Sequence, residues 1–368
     1  MQKNLIKIFS KVSEFLFNGN SNNSKYYFLP IDAFLCYHFN EAELKITQTF
    51  YEKNSLNGVK EFYEFLNILK QKIGEVKTNH EVQSISINTA NDKSEIIHRL
   101  TSITHKNKLH ISCSILLHGS YADRTTTAAS DIDDVVFIKN KVLESLESFE
   151  NCKKGLMQLN HFYQKTDFTQ HHGHWIFDFY QVKNYSNEIM PIAVLKNAIS
   201  IGNKSEINIQ LGTEKKDAVK NILQQILLEI ETEKNKLLQG KINFYDLKNF
   251  ISGVSLIIPL IFQYKGEEID KKEAIKNANK IYSDEALNFI INISSLREKW
   301  NELPEYKKYK MKYKLLSYFI KNRLGLEYLA KREKGHLTIE NFSADKNIFI
   351  ATLNAFHNQT LLQLNNEK

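Results

Sequence analysis

Hydrophobic and polar positions along this chain follow two different periods, and the changes between them divide it. Up to residue 77, apolar residues recur at helical spacing, as in "VSEFLF" and "VKEFYEFLNILKQKIGEV", with a polar loop "NGNSNNSKYY" at 18–27. "VQSISIN" (82–88) alternates and predicts a short strand, and "NTANDK" (88–93) a turn. The spacing returns to helical over 94–108. From Leu109 the chain alternates again: Ile111, Cys113, Ile115 and Leu117 fall on one face, as in a half-buried strand ending at Gly119-Ser120. "DIDDVVFIKN" predicts a second strand, 142–165 a helix, and "HHGHWIFDFYQV" (171–182) a third strand. After Pro191 the pattern is helical over 192–201, 214–238, 244–264, 270–279, 283–300 and 306–332.

This order predicts an α+β protein with a small mixed sheet. N-terminal helices fill 1–92, an α/β core 93–190, and a large helical domain 191–368. A length of 368 residues suits two or three domains, and 42% hydrophobic with 25% charged residues fits a globular chain. Four prolines and 13 glycines argue against a sandwich of many short turns. Three cysteines without paired spacing offer neither a disulfide framework nor a zinc knuckle. The N-terminus lacks a signal-peptide core, and "FISGVSLIIPLIF" (250–262) is too short to span a bilayer and contains Pro259. The expectation is a cytoplasmic protein with no membrane partner.

Charge changes the picture in two places. The net balance of +7 is mild, but residues 307–334 hold ten basic and two acidic side chains. There Lys308, Lys310 and Lys312 alternate with Tyr306, Tyr309 and Tyr313, a pattern that suits a nucleic-acid backbone with rings for stacking. A solvated Lys-rich helix gives the same pattern. The second place is the start of the second strand, where Asp131, Asp133 and Asp134 enter an apolar run. Period two puts Asp131 and Asp133 on one face and Asp134 on the other. Two carboxylates so close call for a cation between them, and Mg²⁺ or Mn²⁺ keeps positions open for phosphate oxygens. Gly119 lets a backbone approach a ligand closely, and Ser120 adds a hydroxyl and an N–H.

The segment "HGSYADRTTTAASDIDDVVF" resembles the signature of the DNA polymerase beta-like nucleotidyltransferase superfamily: Gly-Ser at a strand end, a gap of about ten residues, then Asp-apolar-Asp. The resemblance implies that Gly119 and Ser120 bind a nucleoside triphosphate and that Asp131 and Asp133 bind metal. It also implies a third metal-binding carboxylate on the next strand, for which Asp178 is the candidate and Asp167 a weaker rival. Asp134 departs from the pattern and, if buried, needs a partner such as Arg124, which is also a nucleotide-binding candidate. In "DFTQHHGHW" (167–175), three histidines in four residues raise zinc, but His171 and His172 would face opposite ways and no cysteine is near. "QHHGH" followed by "MPIAVLKNA" is similar to bacterial nucleotidyltransferase-like proteins, which implies that His172 and His174 line the cleft.

The expected activity is therefore transfer of a nucleoside monophosphate to a hydroxyl acceptor. A nucleotide or nucleic acid leads the acceptors, in keeping with this fold's use in bacterial anti-phage and toxin systems. A protein hydroxyl and a small molecule follow. A non-catalytic nucleotide-binding or antitoxin-like module is the alternative from another class.

Overall fold

The protein, a computed structural model, is α+β: mostly helical, with a small mixed sheet. The structure describes residues 2–17, 40, 59–74, 82–89, 94–170, 173–187, 190–212, 216–267, 269–303, 306–320, 323–341 and 343–365. The expected loop at 18–27 and His172 lie outside the described residues.

In chain order the elements are α1 (Gln2–Phe17), α2 (Val59–Ile73), β1 (Val82–Ile87), α3 (Glu95–Lys106), the single turn α4 (Leu109–Ser112), β2 (Cys113–His118) and β3 (Asp133–Ile138). Then come α5 (Leu146–Thr166), β4 (Trp175–Phe177), α6 (Ile192–Lys196), β5 (Ile199–Ser200) and β6 (Ser205–Gln210). The helical half comprises α7 (Lys216–Leu238), α8 (Phe244–Tyr264), α9 (Lys271–Lys276), α10 (Asp284–Glu298), α11 (Tyr306–Phe319), α12 (Arg323–Arg332) and α13 (Lys346–Asn365).

The sheet runs β4-β3-β2-β5. β2 is antiparallel to β3 and β5, and β3 is parallel to β4. Its two faces lead into different cores. Ile115, Leu117 and Val136 point into a layer with Phe9 of α1, Phe62 of α2 and Leu156 of α5. Leu116, Val135 and Phe137 point the other way, against Tyr185, Leu195 and the separate antiparallel ribbon β1–β6. The expectation of a half-buried β2 fails for this reason. A central strand covered on both sides has no solvent face, and Ile111 falls in the preceding helical turn, where it is exposed.

Two other expectations change. The helix expected over 192–201 stops at Lys196, and β5 and β6 follow. "SEINIQ" carries the strand alternation, with Ile207 and Ile209 buried. The long helix expected over 306–332 is two helices, α11 and α12. The last helix, α13, packs its Phe349, Leu353 and Phe356 into the helical core beside Phe289 of α10.

The helical half has its own core around α8. Of the described helices, α8 alone is long and apolar enough to cross a bilayer, but 72% of its most apolar window is buried inside the protein. Asn243 caps its first turn by accepting from the Asp246 N–H, and Pro259 sits inside it. Ala129 and Phe168 of the α/β half also join this core. They carry the two loops that bear Asp131 and Asp167 onto the helical half.

Candidate active site

The site begins where β2 and β3 end together. In their register His118 lies opposite Asp133, so the exit of one strand faces the entrance of the other. The chain leaves β2 through a 3-10 turn, Gly119–Tyr121, held by Asp123 N–H donating to Gly119 O (2.9 Å) and Thr125 N–H to Ser120 O (2.9 Å). Gly119 has φ +64°, a left-handed conformation that costs glycine little. A Cβ built there would lie 3.5 Å from Asp133 Oδ2. The turn is therefore strained for any side chain, and one would stand directly against an acid of the site.

Asp131 sits two residues ahead of β3 rather than inside it. What fixes it is Gln170, whose amide brackets the residue between the two acids. Its Oε1 accepts from Ile132 N–H (3.0 Å) and its Nε2 donates to Ile132 O (3.0 Å). Asp131 is buried, and its Oδ1 accepts from the ammonium of Lys248, one turn into α8. The same ammonium donates to Asp167 Oδ2, at the C-terminal end of α5. The other oxygen of Asp167 accepts from Thr169 N–H (2.8 Å) and Thr169 Oγ1–H (2.6 Å). Burial alone would raise the Asp167 carboxyl, but Lys248 and Thr169 outweigh it and hold it below the usual carboxylate range. Burial would likewise lower the fully buried Lys248, and the two carboxylates raise it instead.

Asp133 is half-buried, and among the described residues no hydrogen bond reaches its carboxylate. Two cations of the helical half act on it and on Asp131 through their charge: Lys271 at the start of α9 and Arg297 near the end of α10. Burial, then the neighbouring Arg297, lower the Lys271 ammonium to about 8, against the pull of the two acids. Tyr121 lies close enough to feel the same acids; burial, then Asp167, raise its hydroxyl. Acids at the strand ends thus lie within electrostatic reach of cations from the helical half, and the Gly119 turn lies against Asp133.

Other expected site residues lie elsewhere. Asp178 is not part of this cluster. Phe177 of β4 pairs with Phe137 of β3, so Asp178 lies one residue beyond that pair, level with Ile138. That is five strand residues, about 16 Å, from the level of Asp133. Asp178 Oδ2 accepts from Ser10 Oγ–H of α1 (2.6 Å), and Oδ1 accepts from the N–H groups of Tyr180 (2.7 Å) and Gln181 (3.0 Å). Burial raises its carboxyl, although these three donors oppose the shift. It ties α1 to the chain leaving β4. Asp178→Asn is expected to leave any chemistry at Asp133 unchanged and to cost about 1–2 kcal/mol of stability. A urea titration beside an activity assay checks both; loss of activity at unchanged stability would contradict this assignment.

Arg124 is not the partner of Asp134. It is exposed at φ +56° in the turn. Asp134 instead accepts from Tyr163 Oη–H (2.6 Å) and from His174 Nδ1–H (2.7 Å), all three side chains being buried. His174 Nε2–H donates to Leu156 O (2.8 Å). Both ring nitrogens are thus engaged, one by the carboxyl of Asp134 and the other by the Leu156 carbonyl, which fixes the ring between β3 and α5. His174 therefore does not line the cleft; it holds β3 to α5 behind it.

On α11 the lysines and tyrosines separate. Lys308, Lys310 and Lys312 are exposed, and Lys312 pairs with Glu333 (2.7 Å). Tyr306 and Tyr309 pack against Phe244 of α8 and Tyr313 against Phe168, so all three are buried and not available to stack on bases. The residues that the sequence reading missed are Lys248, Lys271, Arg297, Gln170 and Tyr121. A signal existed for one. Phe244, Leu247, Lys248 and Ile251 share a helical stripe, and a cation on an apolar stripe needs an acid from elsewhere.

Among the described residues no three His, Cys, Asp or Glu converge on one point. The carboxylates that fit a hard divalent ion are those of Asp133 and Asp131. With phosphate oxygens completing the shell, they suit one such ion. No family model matches the chain, and neither a curated protein nor a solved structure matches it.

Proposed function

We propose that the protein is a metal-dependent nucleotidyltransferase that moves a nucleoside monophosphate from a nucleoside triphosphate to a hydroxyl acceptor. The observation that carries this reading is the Gly119 turn lying against Asp133, with Lys271 and Arg297 near enough to act on Asp131 and Asp133 through their charge. A turn without a side chain admits a phosphate beside the acids, and the two cations balance the polyphosphate charge. Mg²⁺ or Mn²⁺, held by Asp133 and Asp131, would neutralise phosphate oxygens as the charge moves to the leaving group.

In this reading Ser120 and its backbone N–H orient the triphosphate, and Gln170 keeps the two acids in register. The acceptor oxygen bonds to the α-phosphorus, the bond to the bridging oxygen breaks, and pyrophosphate leaves toward Lys271 and Arg297. The hydroxyl proton passes to a carboxylate oxygen of the acid pair. A nucleotide or nucleic acid is the leading acceptor, and the exposed lysines of α11 are its backbone contacts. The test incubates each α-labelled NTP and dNTP with Mg²⁺, with and without RNA or DNA. Label transfer and pyrophosphate release are expected. Changing Lys308, Lys310 and Lys312 together to Glu should raise KM for a polymeric acceptor and flatten its salt dependence. It should leave free triphosphate binding unchanged.

A second reading, a module that binds nucleotide without turnover, is favoured by the placement of Asp178 outside the site. Binding of each triphosphate without any product would select it.

A further inference from the structure

We propose that the Lys248 ammonium is a resident cation of the acid cluster, standing where a second divalent ion would otherwise bridge Asp131 and Asp167. The inference rests on the metal-dependent reading above and concerns how many ions the site takes. Lys248 is wholly buried and comes from the opposite half of the molecule. It donates to one oxygen of each carboxylate at once. A buried ammonium is tolerated only with such compensation, and two buried carboxylates on one point are tolerated only with a cation. Each partner therefore accounts for the others.

Three features argue that the arrangement is permanent. The other oxygen of Asp167 is taken by Thr169, which fixes the carboxylate toward Lys248. Lys248 shares its turn of α8 with Phe244, Leu247 and Ile251, which are packed in the helical core. Displacing its side chain would drive a charge into that core. Finally, a third carboxylate for a second ion is missing from β4, because Asp178 belongs to the opposite end of the strand. In a two-ion site the ions bridge carboxylates to the attacking and leaving oxygens. Here one of these places is filled by a protein group that is always charged and never exchanges. Asp133, without a hydrogen bond from the described residues, remains for the single exchangeable ion. Lys248 is thus a positioning residue, holding Asp131 and Asp167 at fixed separation whether or not an ion is bound.

The test counts Mn²⁺ bound per chain by electron paramagnetic resonance, without nucleotide and with a non-hydrolysable triphosphate, and follows thermal unfolding with and without Mn²⁺. Lys248→Met keeps the length of the side chain and removes the charge. It is expected to bind one Mn²⁺ more than the wild type. Its Tm, low in chelator, should rise with Mn²⁺ by about 3 °C or more beyond any rise in the wild type. Lys248→Arg, which keeps a cation, should behave as the wild type does. Equal Mn²⁺ counts in wild type and Lys248→Met, or no extra Mn²⁺-dependent gain in Tm, would overturn the proposal. If Lys248→Met does not fold even with Mn²⁺, the wild type decides: one ion with the triphosphate analogue supports the proposal, and two refute it. Catalysis enters none of these readings. Failure to transfer nucleotide would sink the enzyme reading alone, and an unchanged ion count would sink this one alone.

Discussion

If the protein transfers nucleotides as proposed, Asp133→Ala is expected to lower kcat on the order of 10³-fold or more while leaving Tm unchanged or slightly higher. The two halves of this expectation have different causes. The loss of rate follows from position. Asp133 faces the Gly119 turn, and its oxygen lies 3.5 Å from where a Cβ would stand, so a phosphate admitted by that turn meets this carboxylate. A factor of 10³ corresponds to about 4 kcal/mol of barrier, the size expected for removing charge stabilisation at a phosphoryl group. The neutral effect on stability follows from surroundings. Asp133 is half-buried, no hydrogen bond from the described residues is lost, and removing its repulsion with Asp131 offsets the lost attraction of Lys271 and Arg297. Label transfer under single-turnover conditions, beside a melting curve, checks both. Full transfer by Asp133→Ala would remove the acid from the chemistry and leave only the binding reading.

His174→Ala is expected to destabilise the protein by about 1–3 kcal/mol, because it leaves a buried carboxyl short of one hydrogen-bond partner. Among the described residues Asp134 would keep the Tyr163 hydroxyl alone, and Leu156 O would lose the side-chain donor that adds to its helical bond. The lock joins β3 to α5, so its failure loosens the strand that carries Asp133 at its entrance. Replacing both partners, His174→Phe with Asp134→Leu, should cost less than the sum of the single changes, since an apolar pair leaves no buried polar group without its partner. Urea unfolding of the two singles and the double measures that difference. Additive costs would show that the ring and the carboxyl are not coupled.

The contrast between Asp134 and its neighbour shows what a sequence can convey here. Period two correctly separates Asp134 from Asp133, because side chains on a strand alternate whatever lies around them. The identity of the partner depends on which residues fold over that face. Arg124, near in sequence, turns out into solvent, while His174, forty residues on, arrives through a parallel strand pairing. The same holds for Asp178. Its place on the third strand was legible, but its distance from Asp133 depends on the register of β4 against β3. A shift along a strand moves a side chain by about 3.3 Å per residue without changing the local pattern.

The sequence by itself determined the α+β class, most helix positions, and the Gly-Ser and Asp-x-Asp segments. Each of these is written in local periodicity or in backbone freedom at one residue. Strands β5 and β6 lay within the reach of alternation too, but they are short and pair with β2 and β1, which are distant in sequence. Only the tertiary structure decided the charge balance of the cleft. Lys248, Lys271 and Arg297 come from three different helices, and Asp167 from the end of a fourth. Their spacing along the chain carries no trace of their meeting. A buried charge is stabilised by whatever opposite charge packing brings to within a few ångströms. That distance is set by how the helical half closes on the sheet.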